Sequence, residues 1–291
     1  MSSVAAPIPR IRPRLRPLSL VPYVLLAATT LPILVLYAWL AYGSFFQGME
    51  GLRPVGSFTL EHWRFLWDPG SVEQLRNKPA IIPMTINTFL FAISTALVVL
   101  LISSMAGYAL SRLAFPGRRM FLGGVLLLHS FPSVTLLIAT FIVLRQLGLY
   151  DKLLGVILVK AAFELPFGVW IMKGFFDNVP WDLEMAALVD GASRLRTWWS
   201  IVLPLVRPGL LALGILAFVQ GWNEFLLPFV FMPSGSQQTL STFVRAILGE
   251  GRFVDYGLLA AVGLYYIAPV LVLFALAQDQ LMRIYAGGVK G

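Results

Sequence analysis

The sequence predicts an all-α membrane protein of six transmembrane helices, with a structured cytoplasmic loop ahead of the fifth. Three observations lead there. Of the 291 residues, 58% are hydrophobic and only 12% are charged, about half the charged share of a soluble domain. The apolar residues gather into six runs, 20–43, 84–111, 120–144, 153–176, 208–232 and 257–280. Each can cross a hydrocarbon core of about 30 Å, which takes roughly 20 residues of helix. None of the runs alternates as a barrel strand does, and a lone span in lipid can satisfy its backbone only as a helix.

The elements follow in chain order. Arg10, Arg12, Arg14 and Arg16 precede the first run and hold segment 1–19 in the cytoplasm. That run is too long for the apolar stretch of a secretory signal, about 7–15 residues, so it reads as a retained span. The external stretch 44–83 is rich in Gly, Pro and charge, with Trp63 and Trp67 as anchors. Span two carries Ser103, Gly107 and Ser111 at four-residue intervals, a small-residue stripe for close helix packing, within the chain or against a partner. Connections 112–119 and 177–207 and the tail 281–291 are cytoplasmic, while 145–152 and 233–256 are external. The cytoplasmic pieces hold more Lys and Arg than the external ones. Trp39, Tyr42, Trp198 and Trp199 fall where interfacial aromatics belong. The division is therefore a basic N-terminus 1–19, one transmembrane domain 20–280 and a tail 281–291.

Composition excludes several functions. A net charge of +8 suggests nucleic acid, but the basic residues sit in membrane-flanking segments, so no nucleic-acid partner is expected and membrane lipid is. The absence of cysteine removes disulfides, thiolate nucleophiles and most zinc sites. No Gly-x-x-x-x-Gly-Lys-Ser/Thr loop occurs, so ATP is not bound by a P-loop here. His62 and His129 stand apart, giving no metal site and no catalytic residue; His129 reads as a hydrogen-bonded bundle residue.

Loop 177–207 carries most of the functional information. Pro180 suits a first helical position, Asp182 and Glu184 lie in the first turn, and Asn178 can cap. Asp190-Gly191 supplies the positive φ that stops this helix, and a second short helix leads through Pro204 to Pro208. A short capped helix at the membrane surface makes a rigid peg able to move two spans at once.

This loop resembles the signature of ABC-importer permeases: Glu-Ala-Ala, three residues, Gly, nine residues, Ile, any residue, Leu-Pro. The matching positions are Ala186, Ala187, Gly191, Ile201, Leu203 and Pro204, with Asp190 inside the first interval. Met185 stands where the signature has Glu, with Glu184 beside it. Asn87-Thr88, 109–118, 147–151, Trp222-Asn-Glu-Phe225 and 286–291 are similar to the carbohydrate permeases of the maltose type, specifically the six-span partner with a short tail. The resemblance implies a type I ABC importer permease fold, a second related permease subunit, two cytoplasmic ATPase subunits that hold ATP and Mg, and an external sugar-binding protein. It also implies that Glu184, Met185, Ala186, Ala187, Asp190, Gly191, Ile201, Leu203 and Pro204 couple this chain to the ATPases. The competing classes are a secondary transporter or channel and a permease for a non-sugar solute.

Intramembrane polar groups point to the pathway. Lys160, Glu164 and Glu224, with Gln220 and Asn223, lie in segments that must cross lipid, where an ionisable group needs a partner or a water-filled cavity. Lys160 and Glu164 are one helical turn apart and can pair. At about 1.5 Å per residue, Glu224 falls at a depth similar to Lys160. The expectation is a structural pair Lys160–Glu164, with Gln220, Asn223 and Glu224 facing the pathway and binding sugar hydroxyls.

Overall fold

The computed structural model describes residues 20–50, 53–71, 80–235, 237–249 and 255–287. The basic segment 1–19 and residues 288–291 lie outside them. The chain runs α1 (Val21–Gly43), a hairpin of β1 (Phe46–Glu50) and β2 (Arg53–Phe58), two short 3-10 turns, α2 (Ile81–Arg112), α3 (Arg118–His129), α4 (Leu137–Gln146), α5 (Leu153–Asp177), α6 (Trp181–Val189), α7 (Arg194–Thr197), α8 (Leu203–Leu205), α9 (Arg207–Trp222), α10 (Leu226–Phe231), α11 (Leu240–Gly249) and α12 (Tyr256–Gly287).

Among the described residues, α1, α2, α5 and α12 are each long and apolar enough to cross a membrane unaided. The third and fifth apolar runs are not the continuous helices expected. α3 and the stretch Ser133–Gln146 meet at 93°. Pro132 has φ −60° and ψ 130°, and a proline disfavours helical geometry at the residue before it, here Phe131. α9 ends at Trp222, and α10 starts anew where Glu224 Oε1 accepts the Leu227 N–H at 3.1 Å, as a capping carboxylate does. A further bend of 79° separates Arg194–Leu205 from α9. With each bent pair taken as one span, up to six segments among the described residues are long and apolar enough to cross.

α2 is the central rod, laid against α5 and α9. Its small-residue stripe serves this chain's own packing. A Cβ on Gly107 would stand 2.8 Å from the Met172 Cβ of α5, and one on Gly168 of α5 would collide with the Ser103 hydroxyl. Ser111 Oγ donates to Asp177 Oδ1 at 2.6 Å. Lipid gives helices little hydrophobic reason to associate, so such backbone approach supplies the contact.

Three buried clusters thread along α2. At the hairpin end, Phe65, Trp222, Phe243, Leu258 and Val262 pack together. At the opposite end, Tyr108, Met172, Phe176, Trp198 and Val202 do. A third joins Phe91, Val156, Leu227 and Phe231. Trp198 is thus core and not the interfacial residue expected, whereas Trp199 is exposed. The hairpin is fastened by stacked rings, Phe58 on Phe45, Phe45 on Trp63 and Trp63 on Phe65, with Phe65 edge-on to Tyr265 of α12. Trp63 is therefore half-buried against the core, and Trp67 stays exposed. His62 adds a polar tie, with Nε2 2.8 Å from the Phe46 carbonyl and Nδ1 3.5 Å from Asp255 Oδ1.

Candidate functional site

The loop 177–207 folds as α6, a left-handed break and α7. Pro180 is the residue before α6 and not its first, since its ψ of 132° is extended. Asn178 closes α5 instead of capping α6, donating from Nδ2 to the Gly174 carbonyl at 3.0 Å. Gly191 has φ +86°, and a Cβ there would meet nothing within 4 Å, so the position demands a backbone conformation and not space. Ser193 Oγ accepts the Arg196 N–H at 3.3 Å and starts α7.

One face of α6 is bolted to the end of α2. Glu184 is fully buried; its Oε2 accepts Arg112 Nε at 2.7 Å, and its Oε1 accepts the Tyr108 hydroxyl. Arg112 also donates to the Val179 carbonyl at 2.9 Å and lies 5.1 Å over the Trp181 ring. Ala187 is buried too. The other face is open, with Met185 40% and Val189 82% exposed and Leu195 and Trp199 exposed beyond the break. Asp190 and Ala186 are exposed, and Ile201, Leu203 and Pro204 are half-buried on the way into α9.

The second site lies inside the bundle. Lys160 Nζ is 2.9 Å from Glu164 Oε1 and 2.8 Å from Glu224 Oε2, and all three side chains are largely buried. The pair read from sequence is present, but Glu224 is not the free pathway group expected. It is the second partner of Lys160, brought by tertiary packing that one-turn spacing cannot report. Its other oxygen takes the Leu227 N–H, and its backbone carbonyl accepts Ser241 Oγ at 2.6 Å. Asn223 Oδ1 accepts the Tyr266 hydroxyl at 3.1 Å.

Two cavities open here. One of about 560 Å³ is lined by His129, Phe131, Lys160, Phe163, Glu164 and Glu224, among others. A smaller one of about 280 Å³ is lined by His129, Glu164, Phe167 and Gln220 among its residues. His129 Nδ1 is 3.1 Å from the Phe163 carbonyl, and its ring stacks on Phe167 with centroids 5.8 Å apart. Both helix breaks, at 130–132 and 223–225, adjoin these cavities. Non-helical backbone at membrane depth is tolerated where it is buried in protein or lines a water-filled space. Ser130, Phe131 and Asn223 are not covered by this chain's own residues. Among the described residues, no group of three His, Cys, Asp or Glu could hold a metal ion.

The family described as binding-protein-dependent transport system inner membrane component matches residues 100–280. The trehalose transport system permease protein SugB of Mycobacterium tuberculosis is 33% identical over 208 residues, 71% of this chain and 76% of that protein. The sulfoquinovosyl glycerol transport system permease protein SmoH of Agrobacterium fabrum is 35% identical over 206 residues, 70% of this chain and 72% of that one. A chain in the crystal structure of a bacterial ABC transporter that imports the acidic polysaccharide alginate superposes with a TM-score of 0.75. It is 20% identical, with 90% of this chain and 95% of that chain covered, and shares the fold.

Proposed function

We propose, because the chain belongs to the family of binding-protein-dependent transport system inner membrane components, that it forms half of the translocation pathway of an ATP-driven sugar importer. A second related permease completes the pathway. An external binding protein delivers the sugar, and two cytoplasmic ATPase subunits, which hold ATP and Mg, dock on loop 177–207. The chain has no ATPase site of its own. Segment 1–19, loop 177–207 and the tail 281–291 face the cytoplasm, around the permease domain 20–280.

The observation that carries this reading is the two-faced α6. Its buried face is fixed to α2 through Glu184 and Arg112, and its open face presents Met185 and Val189 one turn apart. An exposed apolar surface on a rigid element fits a docking site. Motion imposed there passes to α2 through the Glu184–Arg112 ion pair, and to α5 through the Arg112 bond to Val179 and the α2–α5 packing. Met185 then meets the ATPase as an apolar contact, while Glu184 works within the chain. Gly191 sets the angle between α6 and α7, and Ile201, Leu203 and Pro204 carry the motion into α9. Gln220, Asn223 and Glu224 belong to the pathway wall, Glu224 by shaping it.

The test is co-reconstitution with the second permease, the ATPases and the binding protein in proteoliposomes, with labelled neutral sugars. Uptake is expected to require hydrolysable ATP. Uptake that persists without ATP, or without the ATPase subunits, would refute the reading.

A further inference from the structure

The three ionisable groups of the membrane-embedded site are not equally engaged. Both oxygens of Glu224 are occupied, by Lys160 and by the Leu227 N–H. Glu164 has one described partner, Lys160 at its Oε1, and it is the carboxylate shared by the two cavities. It sits 11 residues into a 25-residue helix, which is about 16 Å along a rod of about 37 Å at 1.5 Å per residue. That is close to the middle of the helix.

Its neighbours form a recognisable chemistry. The His129 Nδ1 is turned to the Phe163 carbonyl, so in the neutral ring Nε2 remains as an acceptor. Gln220 brings an amide to the smaller cavity. Aromatic rings stand beside them, Phe163 in the larger cavity and Phe167 in the smaller. Acceptors for hydroxyls beside aromatic rings suit a pyranose, polar around its edge and apolar on its C–H faces.

Charge narrows the class further. One ammonium between two carboxylates leaves an excess negative charge, and Lys160 is the single Lys or Arg among the described residues lining the two cavities. Like charges about 6 Å apart in a medium of effective dielectric about 20 disfavour an anion roughly 100-fold. The names of the two relatives, a neutral disaccharide in one and a sulfonated glycoside in the other, leave this point open.

We propose that Glu164, and not Glu224, is the carboxylate that meets the transported sugar, in a subsite with Gln220 and His129 that accepts an uncharged pyranoside and rejects an acidic one. This rests on the transport reading above.

The assembled complex, in nanodiscs and without its binding protein, tests the subsite by saturation-transfer NMR. Trehalose, maltotriose and diacetylchitobiose serve as neutral probes and a mannuronate disaccharide as the acidic one. The expected result is transfer to at least one neutral probe and none to the uronate. Glu164→Ala should weaken neutral binding at least tenfold, Glu164→Gln should admit the uronate, and Glu164→Asp should keep it out. Equal transfer to the uronate in the unmodified complex overturns the proposal. So does transfer to no neutral probe, or neutral binding unchanged in Glu164→Ala. ATP-driven uptake by the same preparation with its binding protein separates the two failures. Uptake that is present with an NMR result against Glu164 sinks the subsite alone, whereas uptake that needs no ATP sinks the transport reading.

Discussion

Glu184 of α6 and Arg112 of α2 meet at 2.7 Å with both side chains almost wholly out of solvent. Removing one member of such a pair strands the other charge, a loss of about 3–5 kcal/mol. Glu184→Ala is therefore expected to lower the melting temperature of the purified protein markedly and to reduce its membrane abundance. Met185→Ala and Met185→Glu, on the open face, should leave both near normal. A Glu184→Ala protein as stable as the parent would remove the anchor from the mechanism.

Gly191 gives a cleaner separation of backbone from contact. With open space around it and φ +86°, Gly191→Val should insert into the membrane but cost about 1–3 kcal/mol of local strain and abolish ATP-driven uptake. Gly191→Asn, which tolerates this region better, should retain part of it. Immunoblots of membranes alongside uptake decide the matter, and full activity in the valine variant would show that the break angle is unimportant.

The shared lysine makes an asymmetric prediction. Either carboxylate can pair with Lys160, so Glu224→Gln should keep abundance close to normal. Lys160→Met leaves two buried carboxylates facing each other and should lower abundance severalfold. Adding Glu224→Gln to Lys160→Met should not restore it, because Glu164 remains unpaired; adding Glu164→Gln as well should. Rescue by the double variant alone would mean that Glu164 is not part of the cluster.

His62 ties hairpin to α12 in a pH-dependent way. Its two ring nitrogens face a carboxylate and a carbonyl, so the tie is complete as an imidazolium. The hydrogen bond to Asp255 raises the His62 pKa above its ordinary 6.5, outweighing burial. Burial acts to raise the Asp255 carboxyl, but the hydrogen bonds from His62 and the Leu258 N–H hold it below its ordinary 3.8. The raised histidine contributes fully below pH 6.5 and loses its contribution as pH rises through its folded value. The lowered carboxyl contributes fully above 3.8 and loses its contribution as pH falls through its folded value. Thermal melts from pH 5.5 to 8.5 should thus show stability falling with rising pH, and His62→Gln should flatten that slope. An unchanged slope would dissociate the tie from stability.

Orientation can be read with single cysteines, because the chain has none. Ser234→Cys, beside the turn after α10, should react with a membrane-impermeant reagent in intact cells, and Ser193→Cys before α7 should react only after lysis. The reverse pattern would invert the topology.

The spans were legible because a run of 20 apolar residues has few other homes. Their breaks were not, since hydropathy averaged over 120–144 passes straight through Pro132, whose effect on Phe131 is conformational. Gly191 could be read because positive φ is a local demand. The partnership of Lys160 with Glu164 was legible from one-turn spacing, but that with Glu224, 64 positions away, needed α5 brought against the break between α9 and α10. At the loop, a motif directed attention to Met185 as a missing carboxylate. The informative signal was Arg112, a charge at the end of an apolar run that needed a buried partner, which Glu184 supplies.

The close seating of α2 on α5 at Gly107 and Gly168 makes the two helices one stiff lever with α6 at its short end. α2 has 32 residues and is therefore about 48 Å long at 1.5 Å per residue. A tilt of about 5° imposed at the α6 end would swing the far end by about 4 Å, and a point half-way along by about 2 Å, by the geometry of a straight rod of that length. Lys160 and Glu164 lie on the other member of that lever. A displacement of about 2 Å exceeds the span over which a contact at 2.8–2.9 Å survives as a hydrogen bond. A stroke of that size, taken by α5 and not by the break between α9 and α10 that holds Glu224, is geometrically sufficient to part Lys160 from Glu224.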